Sequence, residues 1–441
     1  MKRIIFSLLI IASVIPSHGT SPQEEILANP RRAGSNHYAY PIGTEIEAPR
    51  LTPSPAGYEP FYIAHYGRHG SRYLTGDKDM EGALRTLDGL AAHNQLTFEG
   101  ERLHRLITRL ADDARDRYGD LTDVGAEQHR GIARRMLKNF PEVLGGEAQV
   151  DARSTTWIRC ILSMQNATTT LSRLNPQIHI TTDASYHDMY YMGWGYGIDT
   201  LANPIRKQMD VISDSLNETI DASRFVRQIV RDDMLEQALE HINPGKLMRQ
   251  IFNIAGILQS NKCYDNLSLF HLFTDDEIFE LWRLQNIWWY IHWSNAVSNG
   301  NRLPYIEGDL LKDMIDKCDT AIATGERGAS LRYGHETCVL PLACLMEIDS
   351  VNYSTDNLST LHEHWQNYNI IPKACNIQMV LYRPVGTTGA VNADDVLVKV
   401  LFNEHEATLP VTPVTGPYYR WNDLRNNYII KTAVAREKLS D

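Results

Sequence analysis

FYIAHYGRHGSRY, residues 61–73, is the stretch on which the reading of this chain turns. Phe61 to Tyr66 is a short apolar and aromatic run bounded by Gly67, the composition of a buried strand. Arg68 and Arg72 then flank His69, at the carboxyl end of that strand, where α/β sheets place their ligand sites. A guanidinium presents a planar fork of donors matched to phosphate oxygens. An unprotonated imidazole nitrogen between two of them can attack phosphorus. Gly70 is expected to let the loop pass close to a ligand. Taken alone, the segment is equally compatible with a solvated Arg/His turn.

Working outward, Leu103, Leu106, Ile107, Leu110 and Ala114 recur at helical spacing, and a second helix follows Thr122. Ala148 to Ala152 reads as a strand, with Ser154 and Thr155 as N-caps of a helix through Trp157, Ile161, Met164 and Thr168. From about Ala184 to Ser330 the pattern is almost wholly helical, with periodic stretches near Met209–Leu216, Phe225–Ile242 and Ile278–Val297. The aromatic run Ile287–Trp293 is read as core rather than as a ligand platform. Strands return over Asn376–Arg383 and Asp395–Asn403, paired as a hairpin around Gly386–Gly389. Thr20 to Pro60 is expected to be extended and wrapped on the surface. Strands at both ends with helices between them imply one α/β domain split by a helical insertion.

Composition narrows the function. The chain has 441 residues, 43% hydrophobic and 22% charged, which is ordinary globular usage and excludes a disordered or low-complexity protein. A formal charge of −11 without a polybasic run disfavours nucleic-acid binding, so an anionic ligand needs a local basic pocket. Met1-Lys2-Arg3, the apolar run Ile4–Ile15 and the small residues Ser17 and Gly19 read as a cleavable signal peptide over 1–19. That run is too short for a membrane span, so a periplasmic or secreted protein with no stable membrane insertion is expected. Six cysteines in an exported chain permit disulfides, but Cys160, Cys338 and Cys344 sit in apolar helical contexts and read as buried thiols. Five Asn-x-Ser/Thr sequons are present, and no glycosylation is predicted from them.

Three further segments give the 61–73 stretch its meaning: Leu121–His129 opening a helix, Arg153–Arg159 after a strand, and Leu331–Thr337 before the apolar helix Val339–Met346. Together, and in this order, they resemble the histidine acid phosphatase branch of the histidine phosphatase superfamily, whose patterns RHGxRxP, LTxxGxxQ, RSTxxxR and GHDT are matched in whole or in part. Arg72-Tyr73, the aromatic helix and Asn376-Ile377-Gln378 resemble in particular the multiple inositol polyphosphate phosphatases, a phytase-like branch.

The resemblance implies a central mixed sheet flanked by helices over 20–183 and 331–441, with a mainly α-helical subdomain inserted at 184–330. It implies that His69 is the nucleophile that forms a phosphohistidine, that Arg68, Arg72, Arg159 and His335 bind the phosphoryl group, and that Glu336 is the proton donor. It implies an exported phosphomonoesterase acting stepwise on inositol polyphosphates, a small-molecule phosphorylated substrate, and neither cofactor nor metal. Phosphoryl transfer spreads charge over equatorial oxygens, so fixed positive donors around one nucleophile suffice.

The chain departs from the family at two points: His335-Glu336-Thr337 stands where the family has His-Asp or His-Ala-Glu, and Leu74 replaces the proline after RHGxR. Arg153 is read as a structural partner beneath the site, and Thr156 as a neighbour of it. His65 reads as core or as a neighbour of the site, and Gln128 and His129 as packing around Gly125. Arg206, Lys207 and Arg224 are candidates to meet outer phosphates. An acidic optimum is expected, because Glu336 must carry a proton in the first step. Two alternatives stand beside the phytase-like reading: a broad acid or sugar-phosphate phosphatase, and an inactive phospho-ligand binding protein.

Overall fold

The computed structural model describes residues 20–40 and 49–440, so the segment read as a signal peptide lies outside the described residues. Its centre is one mixed sheet: β1 (Tyr58–Arg68), β2 (Gln149–Ser154), β3 (His179–Asp183), β4 (Gly328–Gly334), β5 (Asn376–Pro384), β6 (Leu397–Phe402), β7 (His405–Glu406) and β8 (Tyr419–Arg420). The strand order is β3-β2-β4-β1-β5-β6-β7, with β8 paired to β6. β3, β2, β4 and β1 run parallel, and β5 and β6 complete the sheet antiparallel as the expected hairpin. β1 is buried from Pro60 to Arg68, with apolar Phe61 and Ala64 in one core and Ile63 in the other, as expected of a central strand of an α/β sheet.

Numbering the helices of ten residues or more, the chain has α1 (Lys78–Ala92), α2 (Phe98–Ala114), α3 (Asp123–Asn139), α4 (Ile158–Leu174), α5 (Asn203–Asn217), α6 (Pro244–Ile257), α7 (Asp275–Trp293), α8 (Gly308–Thr324), α9 (Glu336–Leu345) and α10 (Trp421–Ser440). Helices α3 and α4 cover one sheet face, where Ile132-flanking Ala133, Met136, Met164 and Leu171 meet Ile63, Val150 and Val380. Helices α8, α9 and α10 cover the other, with Leu311, Ile315, Leu340 and Leu424 against Phe61, Ala64 and Met379. Burying side chains of this size is worth roughly 1.5–3 kcal/mol each.

A third core joins α1, α2, α6 and the first half of α7, and it takes in Ile26 and Ala33 from the N-terminal segment. Helices from 184–330 therefore serve more than one core: α6 joins this helical lobe, α8 lies on the sheet, and α7 runs through both, with Trp282 in the lobe and Tyr290 against the sheet. Trp289, Tyr290 and Trp293 are buried as expected, while Trp288 is half-buried. The stretch Phe225–Ile242 is not one helix but two short ones, Ser223–Ile229 and Leu235–Leu239, because Val230 leaves the helix to bridge Leu96.

Two local expectations are corrected. Thr20–Pro60 is not extended throughout: Pro22–Ala28 is a helix and Pro30–His37 a 3₁₀ segment. Ser21 and Glu24 form a reciprocal capping box, and Pro22 supplies the fixed φ of a first helical position. Nor do Ser154 and Thr155 cap α4, which starts at Ile158 without a side-chain cap; Ser154 ends β2 instead. All six cysteines are free, Cys160, Cys338 and Cys344 buried and Cys263 exposed. No helix among the described residues is long and apolar enough to cross a membrane.

Candidate active site

Parallel pairing fixes where the chemistry collects. Arg68 lies opposite Gly334 in the β1–β4 ladder, and Ser154 opposite Tyr333 in the β2–β4 ladder, so three strands end together. Two further backbone bonds carry the ladders into the loops: the His69 N–H donates to the Gly334 carbonyl at 2.9 Å, and the Thr155 N–H to the Tyr333 carbonyl at 3.0 Å. His69, Thr155 and His335-Glu336 thus face one another although they lie far apart in sequence. Glu336 opens α9, where the helix N-terminus favours negative charge.

His69 is buried, and its Nδ1 donates to the Gly70 carbonyl at 2.8 Å, because a carbonyl can only accept. Burial holds the imidazole well below its usual pKa, reinforced by the Arg159 charge and opposed by the negative charge of Glu336. A neutral ring with its proton on Nδ1 leaves the Nε2 lone pair open, and Nε2 lies 3.6 Å from a Glu336 carboxylate oxygen. Gly70 has a different purpose from the one expected: a Cβ there would lie 2.6 Å from the Gly125 Cα, so the missing side chain admits the first turn of α3 rather than a ligand. Gln128 on that helix accepts from the Ser71 N–H at 2.8 Å and donates to the Ser71 hydroxyl at 3.0 Å, which pins the loop. This is more than packing around Gly125.

Glu336 is the hub of the charges. Its carboxylate accepts from Arg68 at 2.6 Å and from the Asn36 amide at 2.9 Å, with Arg72 at 4.0 Å. Burial raises its pKa, but the positive charges of Arg68 and Lys373 hold it well below the usual carboxylate range. The protonated Glu336 that an acidic optimum requires is therefore not the state of this site, where Arg68 and Arg72 are gathered at the carboxylate. Arg68 is itself bracketed by the carbonyls of Asn36 at 2.8 Å and Ile371 at 2.7 Å, and it lies fully buried behind Glu336.

Arg72, Arg159, His69, His335 and Glu336 line a cavity of about 720 Å³. Arg159 has no carboxylate partner among the described residues and stacks at 4.8 Å on the Trp157 ring, which also meets the edge of His335. Burial, aided by Arg159, lowers the His335 pKa to about 3, and its Nε2 lies 3.3 Å from the Thr155 hydroxyl. Trp288 and Trp289 reach the same cavity, so part of the aromatic run read as core is also pocket wall.

The outlying candidates distribute as follows. Arg153 pairs with Asp151 and Asp188, as a structural partner should, and Thr156 faces the Met189 sulfur. His65 and His129 are buried around Tyr333, away from the cavity, and burial lowers both to about 3. Arg206 is paired with Asp199 and Arg224 with Glu277, and neither these two nor Lys207 lines the cavity. Their helices project them elsewhere.

Three site residues have no signal in the sequence reading. Asn36 and His37 come from the N-terminal 3₁₀ segment and line the cavity. Lys373 is fully buried, with no hydrogen-bond partner for its Nζ among the described residues. Burial, Arg68 and Arg72 press its pKa well below the usual lysine range. The strand-to-loop patterns around His69 and His335 carry no trace of these partners, which arrive from distant segments.

Ligand atoms of His69, His335 and Glu336 lie within 4.8 Å of one another, the spacing of a possible cation site. The surrounding guanidiniums oppose a further positive charge there and suit an anion instead.

A mixed central sheet flanked by helices, as built here, is the fold of the histidine acid phosphatases and phytases. In particular, the chain superposes on the Bifidobacterium longum multiple inositol polyphosphate phosphatase, solved in complex with inositol hexasulfate, with a TM-score of 0.73 and 17% identity over 89% of this chain and 97% of that one. The phosphate complex of that enzyme gives 0.72 at the same 17% identity, over 90% and 97%. The phytase from D. castellii gives 0.65 at 14%, over 92% of this chain and 87% of that one. Neither a protein-family model nor a curated protein sequence matches the chain.

Proposed function

We propose that this chain is an exported phosphomonoesterase of the histidine acid phosphatase kind that hydrolyses myo-inositol polyphosphates stepwise through a phosphohistidine. The observation that carries the reading is the tautomer of His69: Nδ1–H is committed to the Gly70 carbonyl, and Nε2 faces the hollow where the cations converge. In the first step Nε2 attacks phosphorus, the ester P–O bond breaks, and the leaving alkoxide takes a proton from the Glu336 carboxyl. In the second, water attacks the phosphohistidine, gives a proton to Glu336, and releases phosphate with His69 restored. Arg68, Arg72, Arg159 and His335 hold the phosphoryl oxygens while charge spreads over them.

A phosphate dianion entering the hollow competes with Glu336 for Arg68 and Arg72. As those guanidiniums turn to phosphate, the carboxyl loses the partners that keep it ionised and regains a proton-donating pKa. One ligand thereby arms the acid that cleaves it. Helices of 184–330 roof the pocket in this reading, with α7 as its wall.

The test is phosphate release at about pH 5 from inositol hexakisphosphate, glucose 1-phosphate and p-nitrophenyl phosphate, with His69→Ala as control. Strong release from the hexakisphosphate, abolished in the variant, is expected. Activity confined to the small esters would make the chain a general acid or sugar phosphatase, and silence on all three would leave a phospho-ligand binding protein.

A further inference from the structure

The central sheet ends in two edges, and they are built differently. β7 is 2 residues long, and so short an edge offers little to another strand. β3 is a full strand of 5 residues that pairs with β2 alone, in an uninterrupted parallel register. The His179 N–H donates to the Ala148 carbonyl at 2.9 Å, which fixes the alternation. His179, Thr181 and Asp183 turn their backbone groups to β2, so Ile180 and Thr182 turn theirs outward. Those outward N–H and C=O groups have no partner among the described residues.

Soluble proteins commonly blunt such an edge with a lysine, a proline, a bulge or a covering segment. His179-Ile180-Thr181-Thr182-Asp183 contains neither lysine nor proline, its ladder has no bulge, and it is exposed apart from half-buried Ile180. Exposed apolar side chains flank the strand at both ends: Leu174, 52% exposed, precedes it, and Tyr186, 74% exposed, follows it.

The strand is also complementary to itself. Antiparallel pairing of two copies about a two-fold axis at Thr181 sets Ile180 opposite the partner's Thr182, and these are the positions whose free N–H and C=O groups point outward. The same register sets His179 opposite the partner's Asp183, at a position without backbone bonds, where facing Cα atoms approach to about 4.5 Å. An imidazole thus meets a carboxylate on each side of the axis. A register moved by two residues loses this match. Antiparallel pairing also brings the Leu174 end of one copy to the Tyr186 end of the other.

We propose that β3 is the interface of a two-fold symmetric dimer of this chain, in which the sheets of the two copies join edge to edge. A closed two-fold consumes the longer free edge of each copy, so assembly stops at two. No residue of β3 lines the catalytic cavity, so the interface is independent of the chemistry proposed above.

Analytical ultracentrifugation of the purified chain should give twice the mass of one copy. Thr182→Pro removes an outward N–H and leaves the bonds to β2 whole, so the dimer dissociation constant should rise at least about tenfold with the far-ultraviolet circular dichroism spectrum unchanged. His179→Asp sets carboxylate against carboxylate across the axis and should weaken the dimer similarly; adding Asp183→Lys restores opposite charges and should recover it. Amide exchange at Ile180 and Thr182 should slow as the protein is concentrated. A wild-type chain that stays monomeric would overturn the proposal and leave the edge to an extended peptide of another protein. A dimer that persists in Thr182→Pro, or one indifferent to the His179→Asp charge, would overturn it too, since another surface would then hold the copies together. Should Thr182→Pro alter the spectrum, loss and recovery through His179 and Asp183 decides.

Discussion

Replacing Glu336 by glutamine isolates the charge at the centre of the site while keeping its shape. In the ligand-free protein that carboxylate neutralises Arg68 at 2.6 Å, with Arg72 at 4.0 Å. Breaking a buried pair from one side costs about 3–5 kcal/mol, because the other charge is left uncompensated. Unfolding entropy of roughly 2.1 cal/mol/K per residue over 441 residues converts this to a fall in Tm of about 3–5 °C for two-state melting. The pH dependence has a definite sign. Glu336 has a folded pKa below its ordinary 4.5, so its stabilisation is present above 4.5 and is lost as pH falls through the lower folded value. The Tm difference between wild type and Glu336→Gln should therefore be full at pH 6 and shrink in strong acid. Inorganic phosphate should raise the Tm of the variant more than that of wild type, since it no longer displaces a carboxylate; saturation at about 100 Kd is worth roughly 2.7 kcal/mol. On the proposed role of this carboxyl as proton donor, turnover should drop by about 10²–10⁴-fold. Scanning calorimetry between pH 3 and 7, with and without phosphate, reads all but the last. Equal Tm values at pH 6, with equal phosphate shifts, would refute the account of Glu336 as the internal counter-ion of the phosphate site.

Three other expectations follow from particular contacts. Asn36→Ala removes the amide that orients the Glu336 carboxyl at 2.9 Å, and kcat should fall by roughly tenfold with a displaced pH profile and a smaller change in KM, readable in steady-state kinetics. Gly70→Ala drives a methyl group into the Gly125 backbone, where nothing flexible can give way, and should cost several kcal/mol, about 3 or more, by urea denaturation. Gln128→Leu leaves the buried Ser71 N–H without its acceptor, so stability should fall by about 1–3 kcal/mol and hydrogen exchange at Ser71 should accelerate.

Legibility in the sequence followed the range of the interactions involved. The strand Phe61–Tyr66, the Thr122-capped helix and the β5–β6 hairpin are coded by neighbours and turn residues, and each formed as read. His69, His335 and Glu336 were visible because strand-to-loop junctions carry them, and the parallel ladders bring those junctions together. Asn36 was invisible because its meaning lies 300 positions away at Glu336. Lys373 was hidden for a similar reason: buried lysines are rare, and nothing near it in sequence signals a guanidinium cluster. Gly70 was noticed but misassigned, since sequence shows that space is needed and not which neighbour needs it. Arg206 and Arg224 are tied to Asp199 and Glu277, which the sequence did not signal, because helical periodicity gives a face and not what that face meets.

The bracket around Arg68 has a bearing on how the protein is made. One of its two carbonyl ligands, Asn36, leaves the ribosome before Arg68 itself, and the other, Ile371, some 300 residues after it. The central strand likewise waits for β4 and β5, its two neighbours, until most of the chain has been synthesised. At about 5–20 residues per second that interval is tens of seconds. Throughout it the nascent polypeptide has His69 but neither His335 nor Glu336, so the cavity these three line is completed late and all at once, with the final third of translation.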